Sequence, residues 1–394
     1  MSPSYRISPQ LGNALERWRS RSVLLGGILL AISLLGAYLS PGAFFHSYLV
    51  GFLYCLALTL GSMAFLMLQY LTDGAWGIVA RRVFEAATRT LPLVTILFVP
   101  VAIGMSYLYP WTDPELVERT EVLRHRRPYM NPPFFEVRAI LYFAIWTLYA
   151  YHLNRWSEEQ DRRPGDQQQR LARLSAHGLI VYVFTVTFAA VDWAGSLLTE
   201  WYSTIWGFIF VANHGLSAMA LTIIALWLLS RFEPLSSVLR SSHFHALGKL
   251  LLALVMVWAY FSFSQLLIVW AGNLPHEISF YLPRWGPPWS RMGGALAGAG
   301  FLLPFLLLLS RPLKRDAKLL SGVAAWILLM RFMDVVWVVV PNYRETWTGI
   351  WTLFTTPAAL ICIWLWRFLG ELRKRPLLPE NAPNLEEALA YEPH

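Results

Sequence analysis

Long apolar stretches alternate with short polar segments along most of the chain. A helix that crosses the hydrocarbon core of a membrane needs about 20 mostly apolar residues. Ten stretches meet this requirement, and we number them spans 1 to 10: 22–39, 45–71, 91–109, 134–153, 177–195, 201–229, 247–271, 292–310, 317–340 and 347–369. None shows the alternation that is typical of transmembrane β-strands. The pattern therefore predicts an all-α integral membrane protein with ten transmembrane helices.

A weak internal repeat relates span 2 to span 6. The letters GF at 51–52 and SMA at 62–64 correspond to GF at 207–208 and AMA at 218–220, at a constant offset. The repeat predicts two four-helix bundles, spans 2–5 and spans 6–9, flanked by peripheral spans 1 and 10. The predicted boundaries are 1–20 for an N-terminal segment, 21–44 for span 1, 45–195 and 196–340 for the bundles, 341–370 for span 10 and 371–394 for a C-terminal tail.

Composition agrees with a membrane protein. Hydrophobic residues make up 56% of the chain and charged residues 14%, whereas soluble domains average about 45–50% and about 25%. This excludes a disordered chain, a disulfide-rich secreted domain and a conventional soluble enzyme. The net charge of +8 does not indicate nucleic-acid binding, because the Lys and Arg residues lie between apolar runs rather than on one face.

The distribution of Lys and Arg predicts the orientation. With the N-terminus in the cytoplasm, 23 of the 32 Lys and Arg residues fall on the inside and eight on the outside, with Arg331 inside a span. This excess predicts a multi-pass protein with both termini cytoplasmic. The first apolar run lacks a cleavage site, so we expect it to remain as a span. The predicted outer loop 110–133 mixes both charges with proline, which favours a docking surface for another protein.

Cysteine and histidine give no pattern for a redox centre. The two cysteines, Cys55 and Cys362, lie in apolar stretches, and the chain has neither a C-x-x-C-H motif nor enough cysteines for an iron–sulfur cluster. One histidine, His214, lies deep in a span, and no second deep histidine is present to complete a haem pair. We therefore expect no covalently bound cofactor and no metal site in this chain.

Polar and ionisable residues at membrane depth are candidates for function, because an unpaired charge there is costly. Those within the predicted spans are Asp192, Asn213, His214, Gln265, Arg331 and Asp334. Those at the water boundary are Glu200, His276 and Glu277. Most lie in the outer half of the membrane. A cavity that is polar from the outside to the midplane suits a quinol that gives up protons outward, or part of a proton path.

Each candidate also has a structural interpretation. Arg331 and Asp334 are three residues apart on one helix, so the spacing favours a structural ion pair. Asp192 has no basic neighbour in its own helix, which favours a functional role. His214 can be a core histidine, and Gln265 can link helices by a hydrogen bond. Glu200, His276 and Glu277 lie at the water boundary, where an exposed charge costs little, and can be ordinary surface charges. Glu200 and Glu345 open the helices that follow Asp192 and Asp334.

Three segments carry a resemblance to a known family. They are SYLVGFLYCLALTLGSMAFLMLQYLTDGAWG at 47–77, TFAAVDWAGSLLTEWYSTIWGFIF at 187–210 and LGKLLLALVMVWAYFSFSQLLIVWAGNLPHE at 247–277. The chain resembles the NrfD/polysulfide-reductase-like membrane subunits, and within them the second NrfD-like subunit (the ActF family) of bacterial alternative complex III. That complex is a quinol:electron-acceptor oxidoreductase.

The resemblance implies a function within a larger assembly of a bacterial inner (cytoplasmic) membrane. It implies partners that carry the redox centres: multihaem cytochrome c subunits, an iron–sulfur subunit, a sister NrfD-like subunit and small membrane subunits. Haem c and iron–sulfur clusters would then lie only in those partners. The expected role is a cofactor-free subunit that supports quinol oxidation and proton release or translocation. The alternatives are a subunit with its own quinol site, a structural anchor and a secondary transporter.

Overall fold

The computed structural model describes residues 5–163, 165, 167–343 and 349–390, and within them all regular secondary structure is helical. The long helices are α1 (Pro9–Leu39), α2 (Pro41–Thr72), α3 (Ala75–Thr88), α4 (Leu91–Ile103), α5 (Pro132–Arg162), α6 (Gln167–Trp193), α7 (Trp206–Leu229), α8 (Ser241–Gly272), α9 (Trp289–Leu309), α10 (Ala317–Val339) and α11 (Thr352–Leu372). The all-α prediction is confirmed. Glu345 and the first two positions of span 10 lie outside the described residues.

Short helices connect the long ones. On the N-terminal side of α7 they are Met105–Leu108, Pro110–Thr112, Pro114–Arg119, Glu121–Arg126 and Gly195–Leu197. After α7 they are Leu235–Val238, Pro275–Ile278, Leu282–Trp285, Arg311–Arg315, Val340–Asn342 and Leu385–Ala390. The helix α9 contains one π-helical turn at Gly298–Leu302. Such turns mark places where the regular backbone ladder is interrupted.

Within the described residues, eight helices are long and apolar enough to cross a membrane, or nine if the bent pair α3–α4 is one span. The chain is therefore a multi-pass membrane protein. The bend of 40° follows the turn at Arg89 and Thr90, where Pro92 in the first turn of α4 cannot continue the preceding helix. Helix α5, the predicted span 4, is outside this set because Glu136, Arg138 and its tyrosines make it less apolar. The total of ten spans stays a prediction.

Helices α2 and α7 lie at the centre of the molecule. In their most apolar stretches 94% and 83% of the residues are buried. The two helices touch where a Cβ atom on Gly61 would lie 2.1 Å from the carbonyl oxygen of His214. Glycine is the residue that permits this backbone approach. The contact fixes the height of His214 and its neighbour Asn213 relative to α2.

The remaining long helices surround this pair. Helix α2 contacts α1, α3, α4, α6, α10 and α11, and α5 packs on α4 and α6. Helix α7 contacts α6, α8 and α10, and α9 packs on α8 and α10. Because α2 and α6 also contact helices of the second set, the grouping into two separate bundles stays a prediction. The arrangement leaves a space enclosed by α7, α8, α9 and α10.

Helices α1 and α11 pack along each other in opposite directions. Gly36 permits their closest approach, since a Cβ atom there would lie 2.3 Å from the Thr352 side chain. Helix α11 in turn packs on α2. We call the end that holds α3 and the start of α1 the inner end, because the Lys and Arg count predicts it to be cytoplasmic. The opposite end is the outer end.

The C-terminal residues 373–390 fold back across the inner end. The Leu377 backbone N–H donates to the Tyr5 carbonyl oxygen at 2.9 Å, and the Asn384 side-chain amide donates to the Asp73 carboxylate at 2.6 Å. These bonds tie the tail to the N-terminal segment and to the end of α2. The predicted tail is therefore part of the packed structure up to residue 390.

Candidate functional site

A cavity of about 850 Å³ lies toward the outer end between α7, α8, α9, α10 and the connection that follows α8. Its wall is largely aromatic and includes Trp206, Trp258, Phe280, Tyr281, Trp289 and Trp337. Three more wall residues, Tyr260, Phe263 and Trp285, are more than half exposed on the outside of the molecule. The cavity therefore opens sideways to the membrane-facing surface of α8. Its size lies within the range of about 300–1,000 Å³ that is typical of small-molecule sites.

The Asp334 carboxylate is the acidic group of this wall. Its Oδ2 atom accepts hydrogen bonds from the Asn213 amide at 2.8 Å and from Nη1 of Arg331 at 3.3 Å. These partners hold the carboxylate between α7 and α10. Asp334 is nevertheless one of the residues that line the cavity, so a ligand there can meet a buried carboxylate.

Arg331 pairs with Asp334 but does not itself line the cavity. Its side chain has no exposed surface, and its guanidinium carbon lies 3.7 Å from the centre of the Trp258 ring. Stacking on an aromatic face stabilises a cation in a place without water. Among the described residues, Nε and Nη2 of Arg331 have no hydrogen-bond acceptor. The predicted ion pair with Asp334 is present, but only the Nη1 atom of the guanidinium takes part in it.

Gln265 adds an amide to the same cavity. It is buried in α8, and its side-chain oxygen accepts a hydrogen bond from the Ser203 hydroxyl at 3.3 Å. The cavity therefore places an amide and a carboxylate in one aromatic enclosure. Of the predicted site residues, the structure brings together Asn213, Gln265, Arg331 and Asp334.

His214 lies outside the cavity wall and contacts a different helix. Its Nδ1 atom lies 3.2 Å from the Tyr182 hydroxyl, between α7 and α6, and it is not part of the cavity wall. Successive residues on a helix point about 100° apart, so Asn213 reaches Asp334 while His214 faces the central packing. The geometry favours the core interpretation of this histidine.

Asp192 is also away from the cavity, in a closed ion pair. Both carboxylate oxygens accept from Arg138, at 2.8 and 2.9 Å, and Tyr142 donates a third bond at 2.9 Å. Arg138 comes from α5, so the pair joins two helices. Spacing along the helix of Asp192 does not reveal this partner, because Arg138 lies on a different helix. A basic residue early in span 4 was the available signal.

Aromatic rings fill the space below Asp192. Trp193 packs against Phe98, Phe143 and Trp146 with ring centres 5.0, 5.6 and 5.9 Å apart. All four side chains are buried. The space beside Asp192 is therefore an aromatic core. Phe98 and Phe143 also line a second cavity of about 890 Å³ on the side of α4 and α5, but its wall does not include Asp192.

The three water-boundary candidates lie on the surface. Glu200 and His276 are exposed and Glu277 is partly exposed. The backbone oxygen of Glu200 accepts a bond from Arg126 at 3.2 Å, which does not involve its carboxylate. None of the three lines the cavity, so the structure does not join them to Asp334.

Arg284 is a residue of the site that sequence analysis missed. It lies in the connection between α8 and α9 and lines the cavity. Its guanidinium donates to the carbonyl oxygens of Trp337 at 3.0 Å and Val338 at 2.6 Å, which belong to the last turn of α10. A cation at the carboxyl end of a helix satisfies unpaired carbonyls there. Burial lowers the pKa of Arg284 to about 9. Its role is to fix the outer rim of the cavity.

A second group that sequence analysis missed is a buried ionic cluster at the inner end. Glu85 accepts from Arg81 at 3.1 Å, from Arg82 at 2.6 Å and from the Ser157 hydroxyl at 2.6 Å. The spacing of Arg81, Arg82 and Glu85 on α3 allows these pairs. All three side chains are almost completely buried. The cluster explains how a helix so rich in charge packs inside the molecule.

The tail completes this cluster through Arg375. Its Nη1 atom lies 3.7 Å from Glu85, and its other nitrogen pairs with Glu158. Burial lowers the pKa of Arg375 to about 10, although Glu85 acts in the opposite direction. The cluster therefore links α3, α5 and the C-terminal tail, which is a structural role.

Comparison with protein-family models and with curated proteins finds no match to this chain. The NrfD-like resemblance therefore rests on the three quoted segments and stays a prediction. Two of those segments, 187–210 and 247–277, contribute Trp206, Trp258 and Gln265 to the cavity wall. Within the part of the chain that the structure describes, no group of three or more His, Cys, Asp or Glu residues could hold a metal ion.

Proposed function

We propose that this chain is a membrane subunit of a quinol-oxidising respiratory complex and that a quinol binds in the cavity beside Asp334. The observation that carries the proposal is the cavity itself. It combines an aromatic wall, an opening toward the membrane-facing surface, and a buried carboxylate and amide. A quinol has matching parts: a flat ring, an apolar tail and two hydroxyl groups. Aromatic walls with a few convergent polar groups are typical of sites for such ligands.

The chemistry assigns a separate role to each polar group. Oxidation of a quinol to a quinone releases two electrons and two protons. The Asp334 carboxylate accepts a hydrogen bond from one hydroxyl and takes its proton as general base. The Gln265 oxygen accepts a hydrogen bond from the other hydroxyl. Both electrons pass to redox centres of partner subunits. The proton of the second hydroxyl passes to water at the outer end, because the Gln265 amide accepts a hydrogen bond but not a proton.

The resemblance supplies the proposed partners. They are multihaem cytochrome c subunits, an iron–sulfur subunit, a sister NrfD-like subunit and small membrane subunits, as in alternative complex III. The proposed location is a bacterial inner membrane, which follows from the resemblance, and the Lys and Arg distribution supports cytoplasmic termini. Proton release toward the outer side is the expected direction, because Asp334 lies near the outer end of α10.

A structural anchor is a second candidate function, and it concerns the first half of the molecule. The Asp192–Arg138 pair and the Glu85 cluster are satisfied by partners within the chain. Paired charges of this kind connect helices without any ligand. The first half would then support the second half and the partner subunits.

Binding of a short-chain quinone to the purified chain in lipid nanodiscs tests the quinol site. Several tryptophans line the cavity, so a bound quinone should quench their fluorescence in a saturable way. Asp334→Asn should weaken this binding, and the matched control Asp192→Asn should leave it unchanged. Absence of saturable quenching in the wild-type chain would refute the quinol site.

Purification of a tagged chain from its native membranes tests the complex. Co-purification of haem c and iron–sulfur proteins together with quinol oxidation would support it. A chain that binds quinone but purifies alone would refute the complex and leave the site intact. A chain that does neither, and instead moves a solute into vesicles, would be a secondary transporter.

A further inference from the structure

A small basic pocket lies between the inner ends of α1 and α11, whereas the cavity beside Asp334 lies toward the outer end. Its volume is about 260 Å³. The lining residues are Arg19, Trp366, Arg367, Gly370, Arg373 and Lys374. Four of the six are cations. The pocket therefore has the composition of an anion site.

The charges in this pocket are only half balanced. Glu16 pairs with both Arg19, at 3.4 Å, and Arg373. Glu371 pairs with both Arg367, at 2.8 Å, and Lys374, at 2.7 Å. No other carboxylate of the described residues forms an ion pair with these four cations. Two carboxylates therefore face four positive charges.

The geometry leaves a donor and a space for the missing anion. The Nε atom of Arg19 is buried and has no hydrogen-bond acceptor among the described residues. A Cβ atom on Gly370 would lie 3.2 Å from this nitrogen, so the glycine leaves the approach open. The Arg19 guanidinium carbon lies 5.4 Å from the centre of the Trp366 ring. Arginine prefers oxyanions such as phosphate, which accept several of its hydrogen bonds at once.

An apolar strip begins one turn beyond the pocket. Val23, Leu24, Leu25 and Ile28 on α1 are between 43% and 66% exposed. A ligand that fits both features carries an anionic head and hydrocarbon chains. A tryptophan beside arginines at the end of a span is typical of the depth where lipid head groups lie.

We propose that this pocket binds the phosphate of an anionic phospholipid, whose acyl chains lie along the exposed face of α1. Arg19 and Arg373 contact the phosphate, and Gly370 provides the space for it. Basic pockets between helices on the cytoplasmic side are known to hold such head groups. The lipid would bridge α1 and α11 at the inner end, where α11 leads into the C-terminal tail. This inference does not depend on the proposed quinol function.

Native mass spectrometry of the purified chain with added lipid tests the proposal. Phosphatidylglycerol should remain bound where phosphatidylcholine does not. The double variant Arg19→Gln with Arg373→Gln should weaken phosphatidylglycerol binding about tenfold. Gly370→Leu should weaken it without removing a charge. Arg119→Gln, which changes an exposed arginine of the outer loop, is the matched control and should have no effect.

Four results would overturn the proposal. One is equal retention of phosphatidylglycerol and phosphatidylcholine. Another is an equal effect of Arg119→Gln and the double variant. The third is displacement of phosphatidylglycerol by millimolar inorganic phosphate with retention of the phosphate, which would identify a site for the free ion. A chain that instead recruits an acidic protein segment to this pocket would also contradict a lipid site. Thermal unfolding of each variant, compared with that of the wild-type chain, checks that all of them are folded.

Discussion

Asp192 and Asp334 are both buried acids near the outer ends of their helices, yet their surroundings differ. Asp192 pairs with an arginine of a neighbouring helix and lies above packed aromatic rings. Asp334 pairs with an arginine of its own helix and lines a cavity of about 850 Å³. The first pair connects α5 to α6. The second pair leaves the space beside the carboxylate free.

The difference shows that a buried charge identifies a site only when space for a ligand accompanies it. An acid such as Asp192, whose two oxygens both accept bonds from protein donors and which lines no described cavity, has a structural role. The sequence favours Asp192 over Asp334 for function, because Arg331 is visible as a partner of Asp334 in the same helix. The geometry favours the opposite order, because the partner of Asp192 comes from another helix and closes around it.

The largest effect is expected when the ion pair between Asp192 and Arg138 is broken. Arg138→Met leaves the Asp192 carboxylate buried without its counter-ion, which costs about 3–5 kcal/mol of unfolding free energy. Denaturant unfolding of the detergent-purified variant measures this loss. The double variant Arg138→Met with Asp192→Leu should recover most of it, because no lone charge remains. A single variant as stable as wild type would contradict the structural role of the pair.

The next effect concerns the open site. Asp334→Asn should weaken quinol binding about thirtyfold, since a hydrogen bond to a charged group contributes about 2 kcal/mol. Stability should fall less than in Arg138→Met, because the asparagine oxygen can still accept from Arg331. Fluorescence titration in nanodiscs checks the affinity, with Asp192→Asn as control. Equal loss of binding in both variants would remove the distinction between the two acids.

Filling the cavity tests whether the space beside Asp334 holds the quinol, without changing any charge. Gly293 lines the cavity, and a Cβ atom there would lie 3.4 Å from Trp337, which is an ordinary contact. Gly293→Leu should therefore fold, occupy part of the space and weaken quinol binding about tenfold. Gly322→Leu is the matched control on α10, because a Cβ atom there meets nothing within 4 Å. Unchanged affinity in Gly293→Leu would place the ligand elsewhere.

The smallest effect is expected when the Gln265 amide is removed. Gln265→Leu should weaken quinol binding about fivefold, because a neutral hydrogen bond contributes about 1 kcal/mol. Gln69→Leu, which also replaces a buried amide but in α2 and outside the cavity wall, provides the control for the loss of polarity. The same titration measures both variants. A larger loss of quinol affinity in Gln69→Leu than in Gln265→Leu would contradict the assignment of Gln265 to the quinol site.

The sequence predicted the helices well because hydropathy is a local property. The run 45–71 lies within α2 and the run 317–340 covers α10 almost from end to end. It did not predict α3, whose charges mark it as a polar connection. Burial of Arg81, Arg82 and Glu85 depends on Ser157 of α5 and Arg375 of the tail, and no local pattern contains that information.

The sequence by itself determined the membrane class, the helical fold and the short-range pair of Arg331 and Asp334. These follow from apolar run length and from spacing along one helix. Only the tertiary structure decided that Arg138 closes around Asp192, that Arg284 caps α10, and that an aromatic cavity remains beside Asp334. Each of these depends on which helices become neighbours and at what height. That choice is made by packing contacts such as Gly61 against His214, which join residues far apart in the chain.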